Sequence, residues 1–227
     1  KHFFNMNEVF IFWPIIIDGT LTTIKLTLAS GVVALIISFT VGLARLSRHW
    51  VVRAIATIYL EFFRGTSAIV QMFFMYFVLP LLGVFLPALM AGIVACGFNL
   101  GAYGSEVVRA SVQSVGREQR EAAKALNYTN FQLYRYVLIP QAIPVMIPSF
   151  GNLVIELLKL TAVASLITIS DLTFMSQIIR VQTALTLEPL ILIMVIYFIL
   201  SSILVSGTKW LERYFSAGRN IHKSGGN

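Results

Sequence analysis

Gly65–Ser105 reads GTSAIVQMFFMYFVLPLLGVFLPALMAGIVACGFNLGAYGS and carries no charged side chain. A helix needs roughly 20 largely apolar residues to cross a bilayer, so the stretch is too long for one crossing and suits two. Pro80, Gly83 and Pro87 divide it, because proline and glycine favour a tight turn there over a continued helix. The second span then begins near Ala54 and covers 54–79, with Glu61 and Arg64 in its inner half, and the third covers 87–107. Outward from this pair, 21–46 predicts a first span that is free of charge from Leu26 to Ala44. A fourth covers 143–167, interrupted by Glu156 and Lys159, and a fifth covers 188–210. The expectation is an all-α integral membrane protein with five transmembrane helices in a single domain over 19–212. An outer interfacial segment over 1–18 precedes it and a cytoplasmic tail over 213–227 follows.

Composition agrees. Of the 227 residues 57% are hydrophobic and 12% charged, with mean hydropathy +0.82 and net charge +7. A soluble domain carries roughly 25% charge, so lipid is the solvent for most of this surface. The basic excess clusters at span ends and forms no nucleic-acid face. Arg45, Arg48 and Arg53 fall in the first loop; Arg109, Arg117, Arg120, Lys124 and Arg135 in the long loop; Lys209, Arg213, Arg219 and Lys223 in the tail. Only Lys1 and Arg180 fall on the other side. The positive-inside rule then predicts an outer N-terminus and a cytoplasmic C-terminus. Phe3, Phe4, Phe10, Phe12 and Trp13 read as an outer aromatic belt, and no cleavable signal is expected. Cys96 is the only cysteine and reads as a small core residue. His2, His49 and His222 have no metal-ligand spacing.

The long inner loop, 111–140, is unusual. Glu121-Ala122-Ala123-Lys124-Ala125-Leu126 favours helix and stops at Asn127, which tolerates the left-handed conformation. Thr129 with Gln132 makes a capping-box pattern that opens a second short helix. The pair forms a knob whose alanines leave a low surface for a soluble partner, ringed by Arg117, Glu118, Arg120, Glu121 and Lys124. Pro140, Pro144 and Pro148 share one helix face and bend the start of the fourth span.

Glu121-Ala122-Ala123, the turn at Asn127 and Ile139-Pro140 closely resemble the coupling motif of ABC-importer permeases, with Asn127 where glycine is commonest. Asp18–Ile24 resembles the approach to the first span in permeases of the polar amino-acid type. Phe63–Gln71 resembles their FRGTP-x-x-VQ segment, with Ser67 for proline. Asn99–Arg109 resembles their N-x-GAY-x-x-E-x-x-R segment, and Gly151-Asn152 with Leu157-Leu158-Lys159 resembles their fourth span. The resemblance implies a type I importer permease in the bacterial inner membrane. Such a subunit pairs with an identical or related permease, docks a cytoplasmic ATPase dimer through Glu121, Ala122, Ala123, Asn127, Ile139 and Pro140, and receives solute from an extracellular or periplasmic binding protein. Gly218–Ser224 lacks the second glycine of a P-loop, so ATP and Mg are expected on the partner ATPase and no cofactor on this chain.

Polar groups at membrane depth are functional candidates. Glu156 and Lys159 share a face and either pair with each other or leave Glu156 facing the solute. Gln71 and Asn99 either bond helix to helix or contact substrate. The resemblance favours the solute site for Asn99, beside Ala68 and Ile69, and a structural role for Lys159. Glu61 and Arg64 read as a structural pair or gate brace. Where family members carry acids, this chain has Leu153 and Leu160, which argues against a basic cargo and for a polar amino acid or a compact zwitterion of the ectoine type. A passive channel or secondary transporter is the competing class, but no duplicated pair of broken helices stands out. A membrane enzyme lacks an HExxH, a GxSxG and paired carboxylates.

Overall fold

Small residues set the packing. The computed structural model describes residues 11–217, and every regular element among them is helical. Helix α1 (Trp13–Ala44) and α4 (Ala88–Gln113) make the most extensive contact in the molecule. Lipid tails are as apolar as leucine, so helices in a membrane associate by close van der Waals fit rather than by the hydrophobic effect. Here Gly97, Gly101 and Gly104 of α4 supply that fit against Val33, Ile37 and Ser38 of α1. A Cβ on Gly101 would lie 2.6 Å from Ile37 Cγ2 and 2.7 Å from its Cβ. Ser38 Oγ bonds the Ala34 carbonyl within α1 at 2.6 Å and reaches the Gly101 carbonyl at 3.4 Å.

Helices α2 (Trp50–Gly65) and α3 (Ala68–Leu82) correct the expectation of one continuous helix over 54–79: the chain bends by 101° at Thr66-Ser67, and α2 begins at Trp50. Thr66 is extended at φ −114°, ψ 151°, so the helix ladder is interrupted there. The division between α3 and α4 follows the expected punctuation. Gly83 adopts φ 86° and its N–H donates to the Pro80 carbonyl, while Pro87 precedes the first residue of α4. α4 covers 87–107 only from Ala88 and continues to Gln113.

Helix α5 (Arg117–Ala125) is the first arm of the knob. Its second arm is not a separate short helix. Asn130 opens α6, which runs through to Ile167, with a wider π-helical segment at Leu133–Leu138 and a 3-10 end at Ala162–Ile167. Pro140, Pro144 and Pro148 lie inside it, and the Ile139 N–H reaches back five residues to the Tyr134 carbonyl. Helix α7 (Leu172–Thr183) had no counterpart in the sequence reading. Buried Asp171 caps it, accepting from the Thr173 and Phe174 N–H groups at 3.2 and 3.0 Å. Burial pushes the Asp171 carboxyl above the usual range, and the two backbone donors oppose that shift. The Leu172 N–H then donates to Thr23 Oγ1 at 3.1 Å, tying α7 to the first half of α1. Helix α8 (Leu187–Ala217) is mostly exposed and reaches well past 210.

Among the described residues four helices are long and apolar enough to cross a membrane, and the bent α2–α3 pair is a fifth when taken as one span. Trp13–Asp18 is helical and continuous with α1, and the aromatic positions before residue 11 lie outside the described residues.

Gly101→Ala should lower the thermal midpoint of the purified chain in detergent, by about 1–3 kcal/mol of overpacking. Gly207→Ala, inside α8 where nothing lies within 4 Å of an added Cβ, should not lower it and should raise it slightly through helix propensity.

Candidate functional site

The break between α2 and α3 is held by two buried amides. Helix ends leave carbonyls without intrahelical donors, and in a membrane those carbonyls need other partners. Thr66 Oγ1 donates to the Phe62 carbonyl at 2.8 Å. The Phe63 carbonyl receives Gln71 Nε2 and Asn99 Nδ2, each at 3.0 Å. Gln71 Nε2 also contacts Thr66 Oγ1 at 2.7 Å. Gln71 and Asn99 are each 6% exposed. Of the two readings of these amides, helix-to-helix bonding is therefore made here, while Gln71 Oε1 is buried without a partner. Ala68 and Ile69 differ. They begin α3, Ile69 is exposed, and no side chain caps this helix start, so its first N–H groups have no side-chain acceptor.

Arg64 and Glu61 form no ion pair with each other. The Arg64 guanidinium lies over the Tyr103 ring, 5.4 Å from its centroid, a cation–π contact between α2 and α4. One turn further along α4, Glu106 binds Arg109 of its own helix and Arg45 at the end of α1. Arg109 Nη1 also donates to Gln113 Oε1 at 2.7 Å. This three-charge brace went unread in the sequence, although the Glu106–Arg109 spacing of three signals half of it. Arg64, Tyr103 and Glu106 share the wall of a cavity of about 540 Å³ with Ser149 and Leu153 of α6.

Glu156 and Lys159 are both exposed on α6, and no ion pair joins them. The mutual pairing is therefore not made. A bare carboxylate at membrane depth needs water, a partner subunit or a ligand.

The knob is closed by backbone bonds. Asn127 takes φ 57°, its N–H donates to the Lys124 carbonyl at 2.9 Å, and the Tyr128 N–H donates to the Ala123 carbonyl at 3.1 Å. These two bonds define a Schellman cap, and they explain why asparagine can stand where glycine would. Thr129 and Gln132 make the reciprocal capping box. Ala123 is not on the partner-facing surface: it is 3% exposed and packs with Val108, Val112, Leu133 and Leu138, anchoring α5 to the end of α4. Glu121, Ala122, Asn127 and Pro140 are exposed, Ile139 is partly buried, and Leu126 and Phe131 are 70% and 75% exposed at the tip. Glu121 pairs with Arg117 at 2.7 Å, and Arg120 turns inward to the Val112 carbonyl.

A bent span, a capped knob and apolar helices with bare faces define a membrane transport subunit that works in an assembly. Residues 34–216 match the family model described as binding-protein-dependent transport system inner membrane component, and the chain belongs to that family. It is 41% identical over 206 residues to a probable amino-acid ABC transporter permease protein, y4tF, of Sinorhizobium fredii, covering 85% of this chain and 87% of the relative. It is 33% identical to the L-cystine transport system permease protein TcyB of Bacillus subtilis, covering 89% of each. It superposes with TM-score 0.87 and 34% identity on a chain of a crystallised amino acid ABC transporter with histidines, covering 94% of this chain and all of that one. The fold is that of a type I ABC importer permease, and the chain is a transport subunit rather than an enzyme. Membership implies an ATPase and a solute-binding protein as partners.

A double-mutant cycle tests the brace. Gln71→Leu or Asn99→Leu alone leaves the Phe63 carbonyl one donor and should cost about 0.5–1.5 kcal/mol. The double variant orphans that carbonyl and should cost about 1–3 kcal/mol more than the sum, read as the thermal midpoint in detergent.

Proposed function

We propose that this chain forms the membrane pathway of an importer for a small zwitterion, foremost a polar amino acid without a basic side chain. The knob of α5 and the start of α6 is its power inlet: a cytoplasmic ATPase dimer carrying ATP and Mg grips Glu121, Ala122, Asn127 and the Leu126–Phe131 tip. The observation that carries this reading is the apolar tip exposed on a doubly capped, charged helical turn. A solvated loop gains nothing from such a surface, whereas a partner's groove buries it. The basic balance sets this side as cytoplasmic, with the N-terminus outside. The chain itself binds no nucleotide. A second permease, identical or related, covers the exposed faces and completes the pathway, lipid covers the rest, and ATP-driven closure rocks the spans between inward- and outward-facing states.

Within the pathway, the N–H groups opening α3 at Ala68 and Ile69 suit a carboxylate, because a helix start attracts negative charge. Glu156 suits the ammonium end. Leu153 and Leu160 leave no further acid on α6 for a basic side chain. Relatives described as putative glutamine permeases of Rickettsia, 32% identical in one case, support an uncharged amino acid, and compact cyclic zwitterions fit the same charge pattern. Lys159, Arg64 and Glu61 serve the walls and inner gate.

Two substitutions test this in vesicles holding the chain, its ATPase and its binding protein. Glu121→Lys reverses a charge at the knob and should cut ATP-driven uptake at least tenfold while membrane insertion stays normal; undiminished uptake removes Glu121 from coupling. Glu156→Gln should raise the concentration for half-maximal uptake several-fold, with assembly intact. Normal uptake and unchanged selectivity would return Glu156 to a structural place.

A further inference from the structure

The loop from Leu46 to His49 and the knob face each other across a cavity of about 400 Å³. Arg48, His49, Arg120 and Lys124 line it, no carboxylate does, and Leu133 and Leu138 add apolar wall. None of the three cations is neutralised among the described residues. Arg48 reaches only the Asn130 amide oxygen at 3.4 Å, Arg120 donates to the neutral Val112 carbonyl at 2.8 Å, and the adjacent carboxylate of Glu121 is held by Arg117. Three like charges around one concavity repel each other and raise the local concentration of anions.

We propose that this cavity binds a phosphate group, and that the phosphate belongs to an anionic phospholipid of the inner leaflet. Guanidinium and imidazole N–H groups suit phosphate oxygens, with Lys124 as a point charge beside them. The cavity lies between the end of α1 and the start of α2, on the basic side that the transport reading assigns to the cytoplasm. Directly after His49, α2 presents Trp50, Val51 and Ile55 at 72%, 48% and 64% exposure, an apolar track along which acyl chains can lie. Basic pockets on this side are the expected form of headgroup recognition. Because Arg120 and Lys124 belong to α5, a bound lipid would stiffen the knob and link membrane composition to coupling.

The test uses the full chain in a neutral detergent, read by native mass spectrometry and thermal unfolding. The probes are dioleoyl phosphatidylglycerol, dioleoyl phosphatidylcholine and inorganic phosphate. The expected result is retained phosphatidylglycerol and a raised midpoint, with little effect from phosphatidylcholine or millimolar phosphate. Arg48→Gln with Lys124→Gln, two exposed side chains, should weaken phosphatidylglycerol binding by about 25-fold, each cation contributing roughly fivefold. Lys209→Gln with Arg213→Gln, basic positions elsewhere, should not weaken it. Equal binding by the first variant and the parent overturns the site. Inorganic phosphate acting as well as the lipid keeps the anion site but overturns the lipid source. Lost ATPase docking with unchanged lipid binding overturns the proposal in favour of protein carboxylates. Binding in a micelle requires neither sidedness nor transport, so its failure is separable from failure of the importer reading.

Discussion

Close approach of α1 and α4 is the constraint on which the other elements depend. Membrane helices gain no hydrophobic association energy, so the seam must come from fit. Gly97, Gly101 and Gly104 let the backbone of α4 sit against branched and hydroxyl side chains of α1 at distances that no Cβ would permit. Around that seam, α6 packs on α4, α7 hangs from Thr23 of α1, and Glu106 bridges to Arg45 at the inner end. The seam is thus the frame, and the parts that act are attached to it.

The bent span shows how a membrane protein tolerates a broken helix. Breaking a ladder inside lipid exposes carbonyls that water cannot reach, and each needs a donor. Gln71 and Asn99 meet that demand at Phe63. Their polarity is consumed by the break, and what the break makes available is the uncapped start of α3. Polar residues at membrane depth therefore divide into two kinds. Gln71 and Asn99 are buried with their amide N–H groups bonded inside the chain, although Gln71 Oε1 has no partner, whereas Glu156 and Lys159 are exposed and unpaired among the described residues. The second kind is left free for groups outside the described residues.

The five-crossing, all-helical plan was legible because charge-free length and Pro80, Gly83 and Pro87 are local signals. The knob was legible too, through Asn127 and the Thr129–Gln132 box. What escaped the sequence was long-range. The bend at Thr66-Ser67 has no proline to mark it here, and its amide partners come from 5–36 residues away. Nothing in an alanine-rich run says which alanine faces inward, so Ala123 was placed on the wrong face. Arg45 meets Glu106 across 61 residues, beyond any periodicity. Asp171 before Leu172 was a readable helix start for α7, overlooked between two stronger apolar runs.

The unbroken course of α6 has a mechanical consequence. Its 38 residues, at about 1.5 Å each, make a rod of roughly 55 Å that starts on the knob and ends beyond Lys159. A helix continuous over that length joins its Thr129 end directly to its packing surface on α4. The proline-bearing, π-wound stretch next to the knob is the most compliant part of this helix, and Glu156 lies on the more regular length beyond it.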